Sequence, residues 1–172
     1  MILGIDVSTS ITGFAILDKT GYIIESSVCD LRKYKTFYSK CITIKEFIID
    51  LSIKYKIDQI FIEEPFMFFN SGGSSARTMA TLQRFNGVVS WMIFEIFEKL
   101  PEHITVAQAR KLAGIKVPRG QKSKVVVLEH VRKTQKDFKV EMTRNGNPKP
   151  ETYDRADAYV IAVAGLKKLN DR

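Results

Sequence analysis

Residues 151–169, ETYDRADAYVIAVAGLKKL, place the strongest constraint on the fold. No charged residue occurs in 158–166, so a helix here has little polar surface in its middle and must be covered by the rest of the chain. Asp154 and Asp157 stand at its start, three residues apart, and therefore project from one face. Two acids at a helix N-terminus also suit the helix dipole. The apolar pattern nevertheless predicts a helix packed on a sheet, with both carboxylates at the margin of that contact.

The rest of the hydrophobic pattern predicts three strands followed by helices that alternate with strands. The predicted strands are 2–7, 13–17, 22–28, 59–62 and 104–106. The predicted helices are 37–55, Ser74 or Ser75 to about Leu100, 107–112, 123–131 with Ser123 as its cap, and the final segment. Residues 144–150, RNGNPKP, predict a mobile linker or a hairpin tip. This order is typical of an α/β domain with a mixed sheet, and 172 residues suit a single domain over residues 1–172.

Positive charge is concentrated in one part of the chain. The net charge is +8, but residues 110–149 contain 12 Lys or Arg and only 3 Asp or Glu, while the rest is nearly neutral. A solvated surface is one interpretation of this charge. A surface that binds nucleic-acid phosphates is the other, because clustered basic residues release counterions from the backbone.

Other features limit the class of protein. The chain is 45% hydrophobic, which is enough for a sizeable core. The N-terminus lacks the basic flank of a secretory signal, and no apolar run reaches the roughly 20 residues of a membrane span. Cys29 and Cys41 lack the spacing of a zinc site and predict small buried side chains in a reducing compartment. We expect a cytoplasmic protein that does not associate with membranes.

Further acids occur where strands are predicted to end. Asp6 interrupts the apolar strand MILGIDV, and Glu63 and Glu64 close the strand IFIEE before Pro65. Neighbouring strand ends open into the crevice where α/β sheets hold ligands. Carboxylates about 4 Å apart there repel by about 4 kcal/mol at an effective dielectric of roughly 20, and a hard cation such as Mg²⁺ offsets this repulsion. Clustered acids and a basic surface together predict a metal-dependent nuclease, in which two ions activate water and stabilise the leaving oxygen.

The chain resembles the RuvC family of Holliday-junction resolvases, in particular the short versions carried by bacteriophages. Three motifs carry this resemblance over nearly the whole chain: LGIDVSTSITGFAIL with Asp6, IFIEEPF with Glu63, and DRADAYVIA with Asp154 and Asp157. The resemblance implies a ribonuclease H-like fold, a mixed five-stranded sheet flanked by helices. It implies that these four acids are catalytic and bind Mg²⁺ or Mn²⁺, two ions per site. It also implies a homodimer that binds four-way junctions and nicks opposed strands, with no nucleotide cofactor, in the host cytoplasm if a phage encodes it.

Some assignments within these motifs leave alternatives open. Because side chains alternate along a strand, only one of Glu63 and Glu64 can point with Asp6 into the site, and the motif favours Glu63. Three aromatic residues that follow would stack on DNA bases or pack in the core: Phe66, Phe68 and Phe69. Three others on the long predicted helix would form a dimer face or pack in the core: Trp91, Phe94 and Phe97.

The basic residues are assigned less firmly than the acids. Lys111 and Lys122 resemble the family lysines near the scissile phosphate, and Lys122 is taken as catalytic. The surrounding ARKLAGIKVPRGQKSKV departs from the family pattern, since a proline and an arginine stand where glycines are more typical. Three other basic residues are therefore equally good candidates for contacts with DNA: Lys116, Arg119 and Lys124.

Parts of the sequence also fit three other functions. GIDVSTSITG also resembles the phosphate loop of sugar kinases and actin-like ATPases, but those proteins use two such domains and well over twice this length. A catalytically silent junction-binding protein would gain nothing from acids beside phosphates. An RNA-processing nuclease of the same fold fits the same residues, although the sequence shows no recognisable reader of a 2′-hydroxyl.

Overall fold

The computed structural model describes residues 1–65 and 76–171, which form five strands and five helices. The strands are β1 (Ile2–Asp6), β2 (Ile11–Leu17), β3 (Ile23–Asp30), β4 (Gln59–Glu63) and β5 (Glu102–Ile104). The helices are α1 (Phe37–Lys54), α2 (Ala76–Phe97), α3 (Val106–Leu112), α4 (Ser123–Thr134) and α5 (Pro150–Asn170). The predicted start of the long helix at Ser74 or Ser75 lies outside the described residues.

The strands form one mixed sheet in the order β3-β2-β1-β4-β5. β1 pairs antiparallel with β2, and β2 pairs antiparallel with β3. β4 lies parallel to both β1 and β5. The predicted mixed five-stranded sheet flanked by helices is confirmed. Ile5 lies opposite Ile62, so the next residues, Asp6 and Glu63, end two adjacent parallel strands side by side.

Helices cover both faces of this sheet and create two apolar cores. Because successive side chains of a strand point to opposite faces, neighbouring residues of β1 and β2 enter different cores. The core beneath α1 and α2 includes Leu3, Ile5, Phe14, Ile44, Ile48, Phe85 and Val89. The core beneath α3, α4 and α5 includes Ala15, Leu17, Phe61, Val127, Val131 and Ile161. The two cysteine thiols are free and buried, as predicted.

α5 lies directly against β1 and β2 because glycines remove the side chains between them. A methyl group on Gly4 would overlap the carbonyl oxygen of Ala158, and one on Gly13 would overlap the carbonyl oxygen of Asp154. Gly165 approaches the ring of Phe61 in the same way from the helix side. This close approach brings the first turns of α5 to the end of β1 where Asp6 lies.

Several predicted boundaries are wrong. The fifth strand is Glu102–Ile104 and not 104–106, because Thr105 leaves the sheet to cap α3. Its hydroxyl accepts the Gln108 backbone N–H, and the Gln108 side chain accepts the Thr105 N–H. The helix predicted to end at residue 131 runs to Thr134, and its cap is Lys122 instead of Ser123.

Residues 144–149 form the tip and second arm of a hairpin, and α5 begins at the next residue, Pro150. Met142 and Pro148 form an isolated antiparallel bridge, so the hairpin alternative is confirmed. Pro150 then begins α5, where its fixed φ suits the first helical turn. None of the helices in the described part of the chain is long and apolar enough to cross a membrane.

Candidate active site

Acids from three separate parts of the chain meet at one end of the sheet. Asp6 ends β1, and Glu63 ends the neighbouring parallel strand β4. Asp154 and Asp157 come from the first turns of α5, about one turn apart. Asp154 lies against Gly13, the residue paired with Asp6. The Asp6 carboxylate is repelled by the charges of the other three acids, so the structure brings together all four acids predicted for the site.

Burial is the main reason that these carboxyl groups hold their protons more tightly than in water. Burial raises the pKa of Asp6 well above its usual value, and repulsion from the other acids, Glu63 foremost, raises it further. Burial and then the charge of Asp157 raise the pKa of Glu63 to about 7. Burial also raises the pKa of Asp157 to about 6 and raises the pKa of Asp154. Carboxyl groups perturbed together in this way indicate a functional site.

Two basic side chains lie beside the acids and partly offset their repulsion. The Lys124 Nζ is 3.7 Å from Asp154 Oδ1, and its charge acts to lower the pKa of each of the other three acids. The Arg110 guanidinium acts in the same direction on Glu63 and Asp157. The site therefore combines a negative cluster with positive charge at its margin.

Of the predicted basic residues, Lys124 reaches the acids, and the two lysines assigned by the family resemblance lie next to residues that do so. Lys122 is the exposed cap of α4, while Lys124, two residues later, carries the ammonium that reaches the acids. Lys111 is exposed on α3, and the preceding Arg110 is the residue whose charge acts at the site. Consecutive helical positions point about 100° apart, so a shift of one or two residues changes the side chain that faces the acids. Two further predicted DNA contacts are exposed between α3 and α4: Lys116 and Arg119.

The two consecutive glutamates at the end of β4 differ in their surroundings. The Glu63 carboxylate shares the electrostatic environment of Asp6 and Asp157. Glu64 lies just past the strand, and its backbone N–H donates to the carbonyl oxygen of Ile104, 3.0 Å away. The structure thus places Glu63 at the acid cluster, as the motif favours. Phe66, Phe68 and Phe69, which follow, lie outside the described residues.

Two residues that position the acids were missed in the sequence. Asn86 is buried on α2 and donates its Nδ2 hydrogen to the Glu63 carbonyl oxygen over 2.9 Å, which fixes the end of β4. Arg32 pairs with Asp30 at the end of β3 and with Glu151 in the first turn of α5. The one sequence signal that could have identified Asn86 is its position as a polar residue on the apolar side of a helix. No sequence signal identifies Arg32.

The residues at this site suit a hard divalent cation by their chemistry. All four candidate ligands are carboxylates, and oxygen is the ligand atom that Mg²⁺ and Mn²⁺ prefer. Among the residues that the structure describes, however, no three His, Cys, Asp or Glu side chains are gathered closely enough to form a ready-made metal cage.

Sequence comparison relates the chain to bacterial nucleases. It is 28% identical over 170 residues to the crossover junction endodeoxyribonuclease RuvC of Aliarcobacter butzleri, a match covering 98% of this chain and 99% of that protein. It is 37% identical over 91 residues to the protein of the same name from Christiangramia forsetii, covering 51% of this chain and 45% of that one. No protein-family model matches the chain.

Solved structures show the same fold. One is Thermus thermophilus RuvC in complex with a Holliday junction substrate, with a TM-score of 0.72 and 15% identity, covering 99% of this chain and 95% of that one. Another is the yeast mitochondrial Holliday junction resolvase Ydc2, with a TM-score of 0.60 and 15% identity, covering 96% and 77%. The predicted resemblance to the RuvC family and the predicted fold are therefore confirmed. The narrower likeness to bacteriophage versions stays a prediction.

Proposed function

We propose that the chain, a relative of the RuvC crossover junction endodeoxyribonucleases, nicks Holliday junctions by metal-dependent hydrolysis of phosphodiester bonds. The main support is the meeting of Asp6, Glu63, Asp154 and Asp157 at the ends of two parallel strands. That edge is where open α/β sheets bind ligands. The names of the relatives and the basic segment 110–149 favour DNA as the ligand.

The four acids are the proposed ligands of Mg²⁺ or Mn²⁺, two ions per site. When bound, the ions supply an activated water and positive charge for the leaving oxygen. The chain itself holds the carboxylates in place, through Gly13 beneath α5 and Asn86 at the end of β4. A phosphate bound against the acids would also meet Lys124 and Arg110, whose charges suit the negative charge that develops in the transition state.

The proposed DNA-binding surface surrounds this site on α3, α4 and the segment between them. Its exposed basic side chains are Lys111, Lys116, Arg119, Lys122 and Lys124. Each phosphate neutralised by such a residue should contribute about 0.9 to the slope of log affinity against log salt. Phe66, Phe68 and Phe69 remain the proposed residues for stacking on bases at the branch point.

We also propose a homodimer that forms through the outer face of α1 and α2. Tyr38, Ile42 and Ile53 lie on one side of α1 and are 73%, 62% and 78% exposed, and Trp91 on α2 is 63% exposed. A two-fold dimer would place two equivalent sites on opposed strands of a junction. Light scattering should give a dimer for the unmodified chain and a monomer for the double variant Ile42→Glu, Trp91→Glu. A dimer that persists in the double variant would assign the interface to another face.

The experiment that tests the proposed activity compares four-way, three-way and linear duplex DNA, with and without Mg²⁺ or Mn²⁺. We expect nicks in the four-way junction that depend on the metal. Asp6→Asn should abolish cutting but retain junction binding, because only a metal ligand is removed. Failure of the unmodified chain to cut any branched DNA with either metal would contradict the proposal.

A further inference from the structure

The hairpin formed by residues 141–149 is held together by backbone hydrogen bonds. The Thr143 N–H donates to the Asn147 carbonyl over 2.7 Å, and the Gly146 N–H donates to the Thr143 carbonyl over 3.0 Å. Gly146 has a φ of 75°, in the left-handed region. This combination is the three-residue hairpin loop in which a type I turn is followed by a left-handed glycine. Below it, the Lys149 N–H donates to the Glu141 carbonyl over 2.8 Å.

Buried side chains of α5 hold the base of this hairpin. The Thr152 hydroxyl donates to the Glu141 carbonyl over 3.3 Å. The Arg155 guanidinium donates to the Lys139 carbonyl over 2.7 Å and lies over the ring of Phe138, 5.3 Å from its centroid. Thr152 and Arg155 are both buried. The hairpin is therefore fixed to the same two turns of α5 that carry the acids.

The anchors and the acids occupy different sides of that helix. At 100° per residue, Thr152 and Arg155 lie about 60° apart, and so do Asp154 and Asp157 on the other side. One helix diameter, about 10 Å, separates these two sides. The arm from residue 141 to residue 144 spans about 10 Å at the rise of a strand. The tip of the hairpin therefore lies within about 20 Å of the acids, which is the length of about six base pairs.

The tip presents exposed polar groups with a positive charge. Arg144 and Asn145 fill the two central positions of the turn, and both are exposed. The hairpin's own acid, Glu141, is paired at the base with Lys149 and Arg155. In the described part of the chain Arg144 takes part in no ion pair. A two-stranded ribbon of this kind fits the major groove of DNA, and arginine and asparagine are side chains that read base edges there.

We propose that the hairpin 141–149 is a DNA-contacting finger, in which Arg144 binds the duplex arm within about six base pairs of the nicked phosphate. This inference rests on the proposed junction-cutting function. It assigns a purpose to the residues just before the last acid motif, to their hydrogen-bonded turn and to the buried Arg155 that anchors them. The finger is attached to α5, the helix that also holds Asp154 and Asp157. Contact of the tip with a DNA arm would therefore align that arm with the acids.

Charge reversal at the tip tests the finger directly. Arg144→Glu is compared with Lys19→Glu, an exposed residue just after β2, at the end of the sheet opposite Asp6. Affinity of the full-length chain for a four-way junction is measured without divalent metal at several salt concentrations. We expect Arg144→Glu to weaken binding at least about fivefold more than Lys19→Glu. The milder variant Arg144→Ala should lower the salt slope by about 1. Thermal melts of all variants check that each one is folded.

The outcomes separate the finger from the proposed function. Junction binding by the unmodified chain, with equal affinity in Arg144→Glu and Lys19→Glu, would overturn the finger and leave the nuclease proposal intact. Absence of junction binding by the unmodified chain would overturn both. Weakened binding in Arg144→Glu alone, with unchanged melting, supports the finger.

Discussion

The two halves of α5 contact the same sheet but contribute to the protein in opposite ways. The second half, residues 158–166, buries apolar and small side chains against β1, β2 and β4, and such burial contributes about 25 cal/mol for each Å² removed from water. The first half, residues 150–157, brings Asp154, Arg155 and Asp157 to partly or wholly buried positions. Buried charges cost free energy unless they are paired. The comparison shows that an apolar anchor can hold an unfavourable acid cluster in place on a single helix.

The largest expected effect comes from the acid half and concerns activity. Asp157→Asn removes one candidate metal ligand with almost no change in shape. We expect junction cleavage to fall by more than about a hundredfold, since even residues outside the ligand set change metal affinity or activity 10- to 100-fold. Single-turnover cleavage in saturating Mg²⁺ measures this. Cleavage within about twofold of the unmodified chain would remove Asp157 from the site.

The next effect comes from the apolar half and concerns stability. Gly165→Ala places a methyl group against the ring of Phe61, and overpacking of this kind costs about 1–3 kcal/mol. Gly87→Ala is the matched control, because a methyl group on Gly87 meets nothing within 4 Å. Alanine there should stabilise α2 by about 0.5–1 kcal/mol. Urea unfolding followed by circular dichroism measures both. Equal effects of the two substitutions would show that the close contact of α5 with the sheet is unimportant.

The smallest effect is the pH dependence of stability without metal. Carboxyl groups whose pKa is raised by folding stabilise the protein while they are protonated. The unfolded pKa values of these groups lie at about 4, and the folded values are about 6 for Asp157 and about 7 for Glu63. The stabilisation is therefore lost as pH rises from about 4 through these folded values. The double variant Glu63→Gln, Asp157→Asn should therefore gain stability over the unmodified chain as pH rises through this window. Melting temperatures in EDTA between pH 4 and pH 8 measure the difference. A constant difference across that range would show that folding does not raise the pKa values of these two acids.

The part of this molecule that follows from local patterns could be predicted from the sequence. The strands, the long helices and the pairing of Asp154 with Asp157 depend on periods of two and 3.6 residues, which the chain displays directly. The meeting of these acids with Asp6 and Glu63 depends on strand order, and the family resemblance supplied that order. Boundaries such as the end of β5 depended on the cap at Thr105, which competes with the strand for the same residues.

Other parts of the site depend on three-dimensional detail that spacing does not encode. Lys124 and Arg110 face the acids because of the rotation of α3 and α4 about their axes, and a shift of one or two residues decides which base does so. Asn86 and Arg32 act through contacts with segments more than 20 residues away in the chain. The hairpin was one of two alternatives in the sequence, and its anchoring by Arg155 is visible only after folding.

The central claim is that acids from β1, β4 and α5 bind divalent cations together. Isothermal titration with Mn²⁺ at pH 7.5 tests it most directly, on the unmodified chain and on Asp6→Asn, Glu63→Gln and Asp157→Asn, with Glu64→Gln as the matched control. The account predicts that each of the first three substitutions weakens Mn²⁺ binding by at least about tenfold, while Glu64→Gln leaves it unchanged. Unaltered Mn²⁺ binding in Asp6→Asn and Glu63→Gln, which lie on separate strands, would contradict it.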